Sequence, residues 1–599
     1  MRPVIEMIIF TYLIFNLWAR VFLAPDSHCI KIDFTAKKGT EGIILSFIYK
    51  GKEYLVMRRP NFYPEREWRD SIFWYSRDKW DGGDLRLTAV RGYEKEEVFI
   101  PERNIAIRDF GVKGEREELP PTPSSLPLPN KEGDIYAWRM VGYDPQNTGF
   151  YPFSLYPPVE FKWLYNWSNF WAPMYSGCAA YGMLFVPDRT NYLLAFDLET
   201  GRLIWRRETT SNTMTCALCV GDSILFVGCV IGFNPDYDTT FYALNPHNGE
   251  LKWGKALRTV EFSPIAVDSF VYVPTFGRSR IFCFKLSGDS LWAFPTHIDA
   301  FSPVWWDGKL YHTGGDGNRV LYARNGISGD SIWTFTAPDE IWGSTITKNK
   351  VFFSVETPLR DTLYALDAQT GALILKVNLP RWAPQLTTFE DKLFVSYGYK
   401  TNDTILTYVQ SLSLSGSLIW EKVLRPVKID GGGSAYPLIT KGGILWVVNT
   451  DKLYILDGNS SLLIEEKELP PTNTWEACWF FPIAYKGYII GAHRDFIYVY
   501  KTDTIVANNG DTINFYTYQN SGDIFFFLFL PGEEKVSLEL FDLSGRFLCS
   551  VYKGLLLKGR HLLSFNPGRL PSGVYFCLLK TSKVKKAVKI PWIRERRKK

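Results

Sequence analysis

The sequence predicts an all-β protein, an eight-bladed β-propeller flanked by two small β-sandwich domains, and two observations carry this prediction. One short phrase recurs seven times between Leu193 and Glu465, at intervals of roughly 40–50 residues. Aromatic residues make up 16% of the chain, which is typical of sheets with large side chains packed between them. A period of this length, filled with short strands, is typical of a propeller.

Each copy of the phrase reads as a strand, a tight turn and a second strand. The clearest copy, residues 193–205, runs Leu-Leu-Ala-Phe-Asp-Leu-Glu-Thr-Gly-Arg-Leu-Ile-Trp. Its first half alternates with the period of a half-buried strand, and Gly201 can supply the positive φ of a tight turn. A further hairpin precedes the phrase in each unit, which gives the four strands of one blade. The copies end at Trp205, Trp253, Trp292, Trp333, Leu375, Trp420 and Glu465.

The number of blades follows from the strands left over at the two ends of the repeat. Three strands between Trp475 and Lys501 lack a fourth, and one orphan strand, Glu160–Tyr165, precedes the first unit. Pairing the orphan with the last three strands would close the ring and protect its edges. The sequence therefore predicts eight blades, with seven as the alternative.

The phrase resembles the propeller repeat of pyrroloquinoline-quinone (PQQ) proteins, whose pattern is Ala-x-Asp-x-x-Thr-Gly-x-x-x-Trp. The copy from Ala195 to Trp205 matches this pattern in full, and the segment from Trp138 to Phe150 looks like the one that opens such propellers. The resemblance covers residues 134–505. It implies a propeller in which each Trp docks between neighbouring blades, and it implies a quinone only weakly, because many such proteins hold none.

A quinoprotein dehydrogenase would need PQQ on the axis, a Ca²⁺ held by carboxylate and amide oxygens, and an Asp as base. The chain lacks the Cys-Cys dipeptide that many such enzymes place beneath the quinone, and its units lack long insertions. The best acidic clusters, Asp236-Tyr-Asp238 and Asp316-Gly-Asn318, lie in turn-like sequence. We therefore expect no enzyme activity, no catalytic residue, no metal and no cofactor.

Nine cysteines are scattered along the chain, and the odd number argues against a complete set of disulfides. Cys216 and Cys219 have the spacing of a metal or redox pair. On a strand, however, their side chains would point to opposite faces, and no second pair follows them. We expect buried strand cysteines here.

The N-terminus predicts export. Arg2 precedes an apolar run from Met7 to Trp18, and residues 22–24 offer a small-residue cleavage context, so residues 1–24 are predicted to be a signal peptide. A retained signal anchor is the alternative. The run is shorter than the roughly 20 residues that span a bilayer, so we expect no membrane span in the mature chain. A net charge of +5 on 599 residues does not indicate nucleic-acid binding.

Two further strand-rich regions flank the repeat. Residues 28–118 predict an N-terminal β-sandwich, and the Pro-rich segment 119–133 predicts a stiff, extended linker. Residues 508–592 predict a second antiparallel sandwich of immunoglobulin-like type, and residues 593–599 form a basic tail.

The C-terminal region resembles the type A sorting domain of the type IX secretion system. The resemblance lies in Leu-Phe-Asp-Leu-Ser-Gly-Arg at 540–546, Leu-Pro-Ser-Gly-Val-Tyr-Phe at 570–576, and Lys-Ala-Val-Lys-Ile at 586–590. It implies a secreted or cell-surface protein whose C-terminal domain engages the secretion machinery. A plain structural module with the same fold is the alternative.

Aromatic residues recur about seven to ten positions after the repeat ends, where an outer strand leads into the next innermost strand. Equivalent positions in a propeller share one face near the axis. We therefore predict a ring of ligand-binding side chains at the channel mouth, stacking on a sugar, a peptide or a planar ligand. The alternative is packing between blades. The predicted residues are Trp171, Phe262, Phe301, Trp342, Trp382 and Trp475.

These features predict an exported, non-enzymatic propeller that binds a protein or carbohydrate ligand at the cell surface or outside the cell. Two alternatives stay open. One is a PQQ- and calcium-dependent quinoprotein dehydrogenase. The other is an assembly scaffold of the cell envelope that resembles the outer-membrane barrel-assembly lipoprotein; that protein would need a lipobox Cys, whereas Cys29 follows Pro-Asp-Ser-His.

Overall fold

The described part of the chain consists almost entirely of β-strands, as the sequence predicts, with one 3-10 turn at Glu102–Asn104. No helix in this part is long and apolar enough to cross a membrane. The computed structural model describes residues 17–592 except 38–39, 41, 61–66, 92–93, 109–133, 135, 141, 167–176, 189, 220–222, 237, 277–279, 297–302, 315–318, 356–360, 380–384, 402–403, 425–426, 429–435, 449–451, 470–481, 493–495, 503–504, 507–512, 520–522 and 569.

The N-terminal region folds as a sandwich of two four-stranded sheets. Its strands are β1 (Leu17–Leu23), β2 (Cys29–Ala36), β3 (Gly42–Tyr49), β4 (Lys52–Pro60), β5 (Trp68–Tyr75), β6 (Asp84–Arg91), β7 (Glu94–Ile100) and β8 (Ala106–Ile107). One sheet has the order β5-β2-β1-β8 and the other β4-β3-β6-β7. Alternate apolar residues from both sheets, such as Ile32 and Leu45, share one buried core.

β1 is an integral strand of this sandwich. It pairs antiparallel with β2 from Leu17 to Leu23 and parallel with β8, and Leu17, Val21 and Leu23 are buried in the core. Cleavage after Ala24 would remove this strand, so the predicted boundary at residue 24 conflicts with the sandwich. The signal peptide itself stays a prediction, because residues 1–16 lie outside the described part.

Four-stranded antiparallel sheets follow one another through the repeat region, and we number them in chain order. Two short strands, β9 (Phe150–Tyr151) and β10 (Ser154–Leu155), and then β11 (Glu160–Asn166) precede them. Sheet 1 contains β12 (Cys178–Ala180), β13 (Met183–Pro187), β14 (Tyr192–Asp197) and β15 (Leu203–Glu208). Sheet 2 contains β16 (Thr213–Cys219), β17 (Ile224–Cys229), β18 (Phe241–Leu244) and β19 (Leu251–Lys255).

Sheets 3 to 5 have the same order. Sheet 3 contains β20 (Ile265–Val267), β21 (Phe270–Pro274), β22 (Arg280–Lys285) and β23 (Ser290–Pro295). Sheet 4 contains β24 (Val304–Trp306), β25 (Lys309–Gly314), β26 (Val320–Asn325) and β27 (Ser331–Thr336). Sheet 5 contains β28 (Ile341–Thr347), β29 (Lys350–Val355), β30 (Thr362–Asp367) and β31 (Leu373–Asn378).

Sheets 6 to 8 complete the series. Sheet 6 contains β32 (Gln385–Phe389), β33 (Lys392–Thr401), β34 (Thr404–Ser413) and β35 (Leu418–Val423), with β36 (Val427–Lys428) beside β34. Sheet 7 contains β37 (Tyr436–Thr440), β38 (Ile444–Val448), β39 (Lys452–Asp457) and β40 (Leu463–Glu468), with β9 beside β37. Sheet 8 contains β41 (Ile483–Tyr485), β42 (Tyr488–Ala492) and β43 (Phe496–Lys501), and β11 is its fourth strand.

The ring closes where the two ends of the repeat meet. β11 pairs antiparallel with β43, from Glu160 opposite Lys501 to Asn166 opposite Phe496, which is the pairing predicted for the orphan strand. One buried core then joins Trp446 of sheet 7, Ile489 of sheet 8 and Leu184 of sheet 1. The described part of the repeat region thus contains eight sheets in succession, each with four antiparallel strands, and the last is built from both ends of the repeat.

The repeated phrase forms the contact between one sheet and the next. The indole Nε1 of Trp333 donates to the carbonyl of Ala368 at 3.1 Å, in the turn of the following sheet. Gly371 of that turn has φ +73°, and a Cβ placed on it would lie 2.7 Å from the Trp333 ring. The Gly is thus required for its positive φ and for the neighbouring indole. Equivalent indole bonds are made by Trp163, Trp205, Trp253, Trp292 and Trp420.

The C-terminal region folds as a second sandwich. Its strands are β45 (Asn514–Gln519), β46 (Ile524–Leu530), β47 (Glu534–Phe541), β48 (Phe547–Leu556), β49 (Gly559–Phe565), β50 (Gly573–Lys580) and β51 (Lys585–Trp592), and β44 (Ile505–Val506) precedes them beside β10. One sheet has the order β45-β46-β49 and the other β48-β47-β50-β51. Phe526, Leu538 and Leu579 belong to the core between them.

Replacing Gly371 by Ala tests the contact between sheets. We expect a loss of about 1–2 kcal/mol in the free energy of unfolding from the left-handed backbone, and roughly 1–3 kcal/mol more because the methyl group meets the Trp333 ring. Gly308→Ala is the matched control, since Gly308 has φ +74° but no atom within 4 Å of its Cβ position. Chemical denaturation of both variants measures the difference, and equal losses would contradict the proposed clash.

The place of β1 predicts where the mature chain begins. Because β1 is paired on both sides and buried, we expect the mature N-terminus at or before Leu17. Mass spectrometry of the intact protein from the cells that produce it measures this directly. A mature chain that starts at Pro25 and still resists proteolysis in its N-terminal sandwich would show that β1 is dispensable.

Candidate ligand-binding site at the mouth of the ring

Residues 134–151, which we term the lead-in segment, run along one end of the innermost strands all round the axis. Trp138 exchanges two backbone bonds with Ala179 of sheet 1, and Met140 shares a core with Ile265 of sheet 3. Backbone N–H groups of the other sheets donate to this segment: Leu218 to Arg139, Trp305 to Pro145, Ile346 to Gln146, Thr388 to Thr148, Ile439 to Gly149, and Lys486 to the Tyr151 hydroxyl. This end of the strands is therefore occupied by the protein itself.

The lead-in segment is held in shape by its own polar side chains. The Asp144 carboxylate accepts bonds from the Thr148 amide at 3.0 Å and the Thr148 hydroxyl at 2.6 Å. The Asn147 amide donates to the Ser344 carbonyl at 2.7 Å. Burial raises the pKa of Asp144 to about 6. These residues have a structural role at the occupied end, which leaves the opposite end, here termed the mouth face, for ligands.

Two of the predicted ligand-binding residues, Phe262 and Trp342, lie in the described part. Trp342 is the second residue of β28, and Phe262 precedes β20, so both stand where an innermost strand begins. This is the end opposite to the lead-in segment, and both side chains are partly exposed. That Phe262 and Trp342 form one circle of side chains with the other predicted residues stays a prediction. The other four, Trp171, Phe301, Trp382 and Trp475, lie outside the described residues.

The backbone beside Trp342 is open to solvent. A β-bulge separates Trp342 from Ser344, and no heavy atom lies within 4 Å of the Cβ position of Gly343. The Trp342 carbonyl accepts the Ser354 hydroxyl at 3.0 Å, which ties β28 to its neighbouring strand. A ligand can therefore approach both the indole and the adjacent backbone, on a strand that is itself held in place.

The same position in sheet 2 is filled internally. Thr213 begins β16, with a bulge between Thr213 and Thr215 like that beside Trp342. Its hydroxyl donates to the Tyr192 carbonyl at 2.7 Å and is 3.4 Å from the Asp188 carboxylate. Burial raises the pKa of Asp188 to about 6. At sheet 2, therefore, this position stabilises the blade and offers nothing to a ligand.

The N-terminal sandwich docks on the mouth face, which the sequence did not indicate. The Tyr75 amide donates to the Asn212 side chain at 2.7 Å, in the connection between sheets 1 and 2. The Trp74 indole donates to the Ile231 carbonyl at 2.9 Å and packs edge-on against Phe233 at 4.7 Å. The alternation of apolar and polar residues along β5 could not predict this docking, because the partners of Trp74 and Tyr75 come from two loops more than 130 residues away. A ligand at the mouth would have this sandwich beside it.

The acidic pair Asp236 and Asp238 serves this interface. Asp236 accepts the Tyr54 hydroxyl of the N-terminal sandwich at 2.7 Å, and Asp238 accepts the Asn234 amide at 3.1 Å within its own turn. Burial, and then the nearby Asp78 carboxylate, raises the pKa of Asp238 to about 7. The predicted turn role thus holds for Asp238, and Asp236 has a docking role that was not foreseen. Asp316 and Asn318 lie outside the described residues.

The described cysteines do not form the arrangement that a PQQ enzyme implies. The Sγ atoms of Cys216 and Cys178 are 3.5 Å apart, but the two thiols come from neighbouring sheets and are buried in the core between them. The side chain of Cys219 lies outside the described part. Among the described residues no group of three His, Cys, Asp or Glu side chains could hold a metal ion. These residues do not fit the quinone site, and the absence of a cofactor stays a prediction.

A second concave site lies between sheet 7 and the C-terminal sandwich. It is a cavity of about 220 Å³ bordered by Tyr156, Asp457, Asn459, Phe527 and His561. Its polar groups already have partners: Asp457 accepts the amide and hydroxyl of Ser460, and a ring nitrogen of His561 contacts the Leu557 carbonyl. The mouth face is therefore the better candidate for ligand binding.

Comparisons with known proteins found one family model and several solved structures. A family model described as outer membrane protein assembly factor BamB matches residues 167–300. Among solved structures, the chain is similar to a europium-containing methanol dehydrogenase, with 12% identity, a TM-score of 0.47, and coverage of 61% of this chain and 98% of that one. It is also similar to BamB from Moraxella catarrhalis, with 16% identity, a TM-score of 0.43, and coverage of 58% and 100%.

A third similar structure is the quinohemoprotein alcohol dehydrogenase from Comamonas testosteroni, with 13% identity, a TM-score of 0.47, and coverage of 65% and 83%. No curated protein matches the chain. The repeat phrase and the family match over residues 167–300 support a PQQ-like β-propeller.

Asp238 predicts a pH dependence of stability. Its pKa in the folded protein, about 7, lies above the ordinary value of 3.8, so its contribution is fully present below pH 4 and is lost as pH rises through 7. Asp238→Asn does not titrate at this position. Between pH 4 and 8 its free energy of unfolding should therefore rise relative to that of the native protein, by at most roughly 1.4 kcal/mol per unit of the pKa difference.

Asp236→Asn is the control of opposite sign. The Tyr54 hydroxyl holds the pKa of Asp236 below its usual range, so this carboxylate stabilises the fold at neutral pH, and that stabilisation fades in acid. Denaturation at a series of pH values measures both variants. Parallel pH profiles for the native protein and Asp238→Asn would contradict the assignment.

Proposed function

We propose that this protein binds a carbohydrate or a peptide at the mouth face of its propeller and catalyses no reaction. The observation that carries the proposal is the division of the ring into two ends. The lead-in segment occupies one end of the innermost strands through its bonds to them, while the partly exposed Trp342 lies at the other. This division supports the mouth face, and not the occupied end, as the place for a ligand.

The side chains at this mouth suit a ligand with a flat apolar face and polar edges. A partly exposed indole offers a broad apolar surface for stacking, and the open backbone at Gly343 allows close approach. Glu340 adds a carboxylate two residues before Trp342. Sugars and extended peptides both present this combination, and the N-terminal sandwich beside sheets 2 and 3 can add contacts.

The proposal needs no quinone and no metal. Asp236 and Asp238 are engaged in the domain interface and in their own turn. Release of PQQ from the purified protein, or a calcium-dependent absorption band after its addition, would favour the dehydrogenase alternative instead.

We further propose that the protein is exported and that the C-terminal sandwich is the part read by the secretion machinery. The supporting observation is the exposed sheet β48-β47-β50-β51, which contains all three motifs of the sorting-domain resemblance or their flanking turns. Phe547 is 53% exposed and Phe576 is 36% exposed on this sheet, so an apolar recognition surface is available to a partner.

Trp342→Ala tests binding at the mouth. In glycan-array and peptide-array screens, followed by calorimetry of the strongest ligand, we expect at least about a tenfold loss of affinity, equivalent to roughly 1.4 kcal/mol, because the stacking surface is removed. Phe262→Ala should weaken the same ligand.

Trp306→Ala is the matched control for size and chemistry. Trp306 ends the innermost strand β24, at the end where the lead-in segment runs, and is also partly exposed. We expect it to lower stability and to leave affinity unchanged. Equal affinity of the native protein and Trp342→Ala, with reduced stability of the variant, would show that Trp342 only packs between blades.

A further inference from the structure

The C-terminal sandwich is fastened to the ring by a strand that is buried on both faces. Phe525 and Phe527 of β46 lie in the core that joins sheets 7, 8 and 1, while Ile524, Phe526 and Leu528 lie in the sandwich's own core. Strands buried on both faces read as continuous apolar runs, and residues 524–530 are Ile-Phe-Phe-Phe-Leu-Phe-Leu. The composition of β46 is therefore that of a strand packed between two cores, one in the sandwich and one in the ring.

The sandwich docks at the one seam where the repeat phrase has a charge in place of an apolar residue. Six seams have a Trp indole bonded to the next turn, and Leu375 takes that place beside Gly416 at the seam of sheets 5 and 6. At the seam of sheets 7 and 8 the residue is Glu465, which is buried. Its carboxylate is paired with Lys467 at 2.6 Å. Burial, and then the nearby Glu465 charge, raises the pKa of the Tyr518 hydroxyl in the C-terminal sandwich, so the sandwich lies close to this carboxylate.

The chain also enters and leaves the ring beneath the sandwich. β10 pairs with β44, so the strand before the ring is bonded to the strand after it. Tyr156 stacks on Tyr516 with ring centres 5.6 Å apart and contacts Phe527 at 5.0 Å. The Thr502 hydroxyl donates to the Tyr156 carbonyl at 2.5 Å. The sandwich thus covers the place where the ring is closed by separate ends of the chain.

We infer that the C-terminal sandwich is a permanent clamp on the seam between sheets 7 and 8, where it supplies the contact that Trp supplies at six other seams. Its release would expose Phe525 and Phe527 and loosen the ring at its closure. Among the described residues, the sheet β48-β47-β50-β51 adds none to the core that is shared with the ring, so its outer face can serve another partner. This inference does not depend on ligand binding, because the mouth lies at the other end of the ring.

Hydrogen exchange of the full chain, followed by mass spectrometry of its peptides, tests the clamp. For Phe527→Ala we expect exchange in β38, β39, β42 and β43 to rise at least tenfold, while sheets 3 and 4 keep their protection. Trp420→Ala is the positive control, since it removes the indole at the preceding seam and should raise exchange in sheets 6 and 7. Phe547→Ala is the negative control, because Phe547 is an exposed Phe of the same sandwich.

The result decides between a clamp and an appendage. Exchange in sheets 7 and 8 of Phe527→Ala within twofold of Phe547→Ala would overturn the inference. Phe527→Leu provides a milder variant if Phe527→Ala does not accumulate as folded protein, and a smaller rise confined to the same seam is then expected. A rise spread evenly over all eight sheets of Phe527→Leu would also overturn the inference, because it would report general destabilisation.

Discussion

The contact on which the structure depends is the insertion of an indole ring against a glycine turn. In five turns a Gly at positive φ lies against the Trp of the preceding sheet, and the missing Cβ leaves room for the ring. In the turn of sheet 7, which faces Trp420, Ser461 has the positive φ. The indole N–H then bonds to a carbonyl of the same turn, as Trp253 does with Leu286 at 2.8 Å. The Gly and the Trp of one phrase therefore act in two different contacts: Gly201 lies against the preceding sheet, whereas Trp205 bonds to the following one. Each sheet is thus stabilised by its neighbours on both sides.

A chain built in this way has no natural end, since every sheet needs a neighbour on both sides. The protein meets this need by giving its last sheet a strand from each end of the repeat. The closure is reinforced at the side of sheet 1, where Glu199 is bonded to Lys162 of β11 and Lys501 of β43. Those two amines and the Tyr488 hydroxyl hold the pKa of Glu199 down at about 2.

Much of the ring could be predicted from the sequence because its rules are local. The spacing of the phrase predicts the succession of sheets, Gly201 and its equivalents predict the turns, and the orphan strand that begins at Glu160 predicts how the ring closes. The domain contacts could not be predicted in this way. The bond between Trp74 and Ile231 joins residues 157 positions apart, and no period in the sequence relates them. Residues 17–23 pair as β1, which composition alone does not predict, because an apolar strand and an apolar leader are alike in composition.

The candidate site was the hardest part to predict. The position after each repeat end does lie at the start of an innermost strand in sheets 2 and 5, but its use depends on the neighbours. Thr213 is bonded within its own blade, whereas Trp342 stands beside the open backbone of Gly343. These two environments depend on residues outside the phrase. The spacing could therefore predict the position of a site residue but not whether its side chain is available to a ligand.

The two sandwiches lie at opposite ends of the ring. The N-terminal sandwich contacts the connections on the mouth side, and the C-terminal sandwich contacts the turns of sheet 7 on the opposite side. Any surface that holds the protein by its C-terminal sandwich would therefore turn the mouth and the N-terminal sandwich outward. The order of domains along the chain thereby becomes an order in space, from the point of attachment to the point of contact with the surroundings.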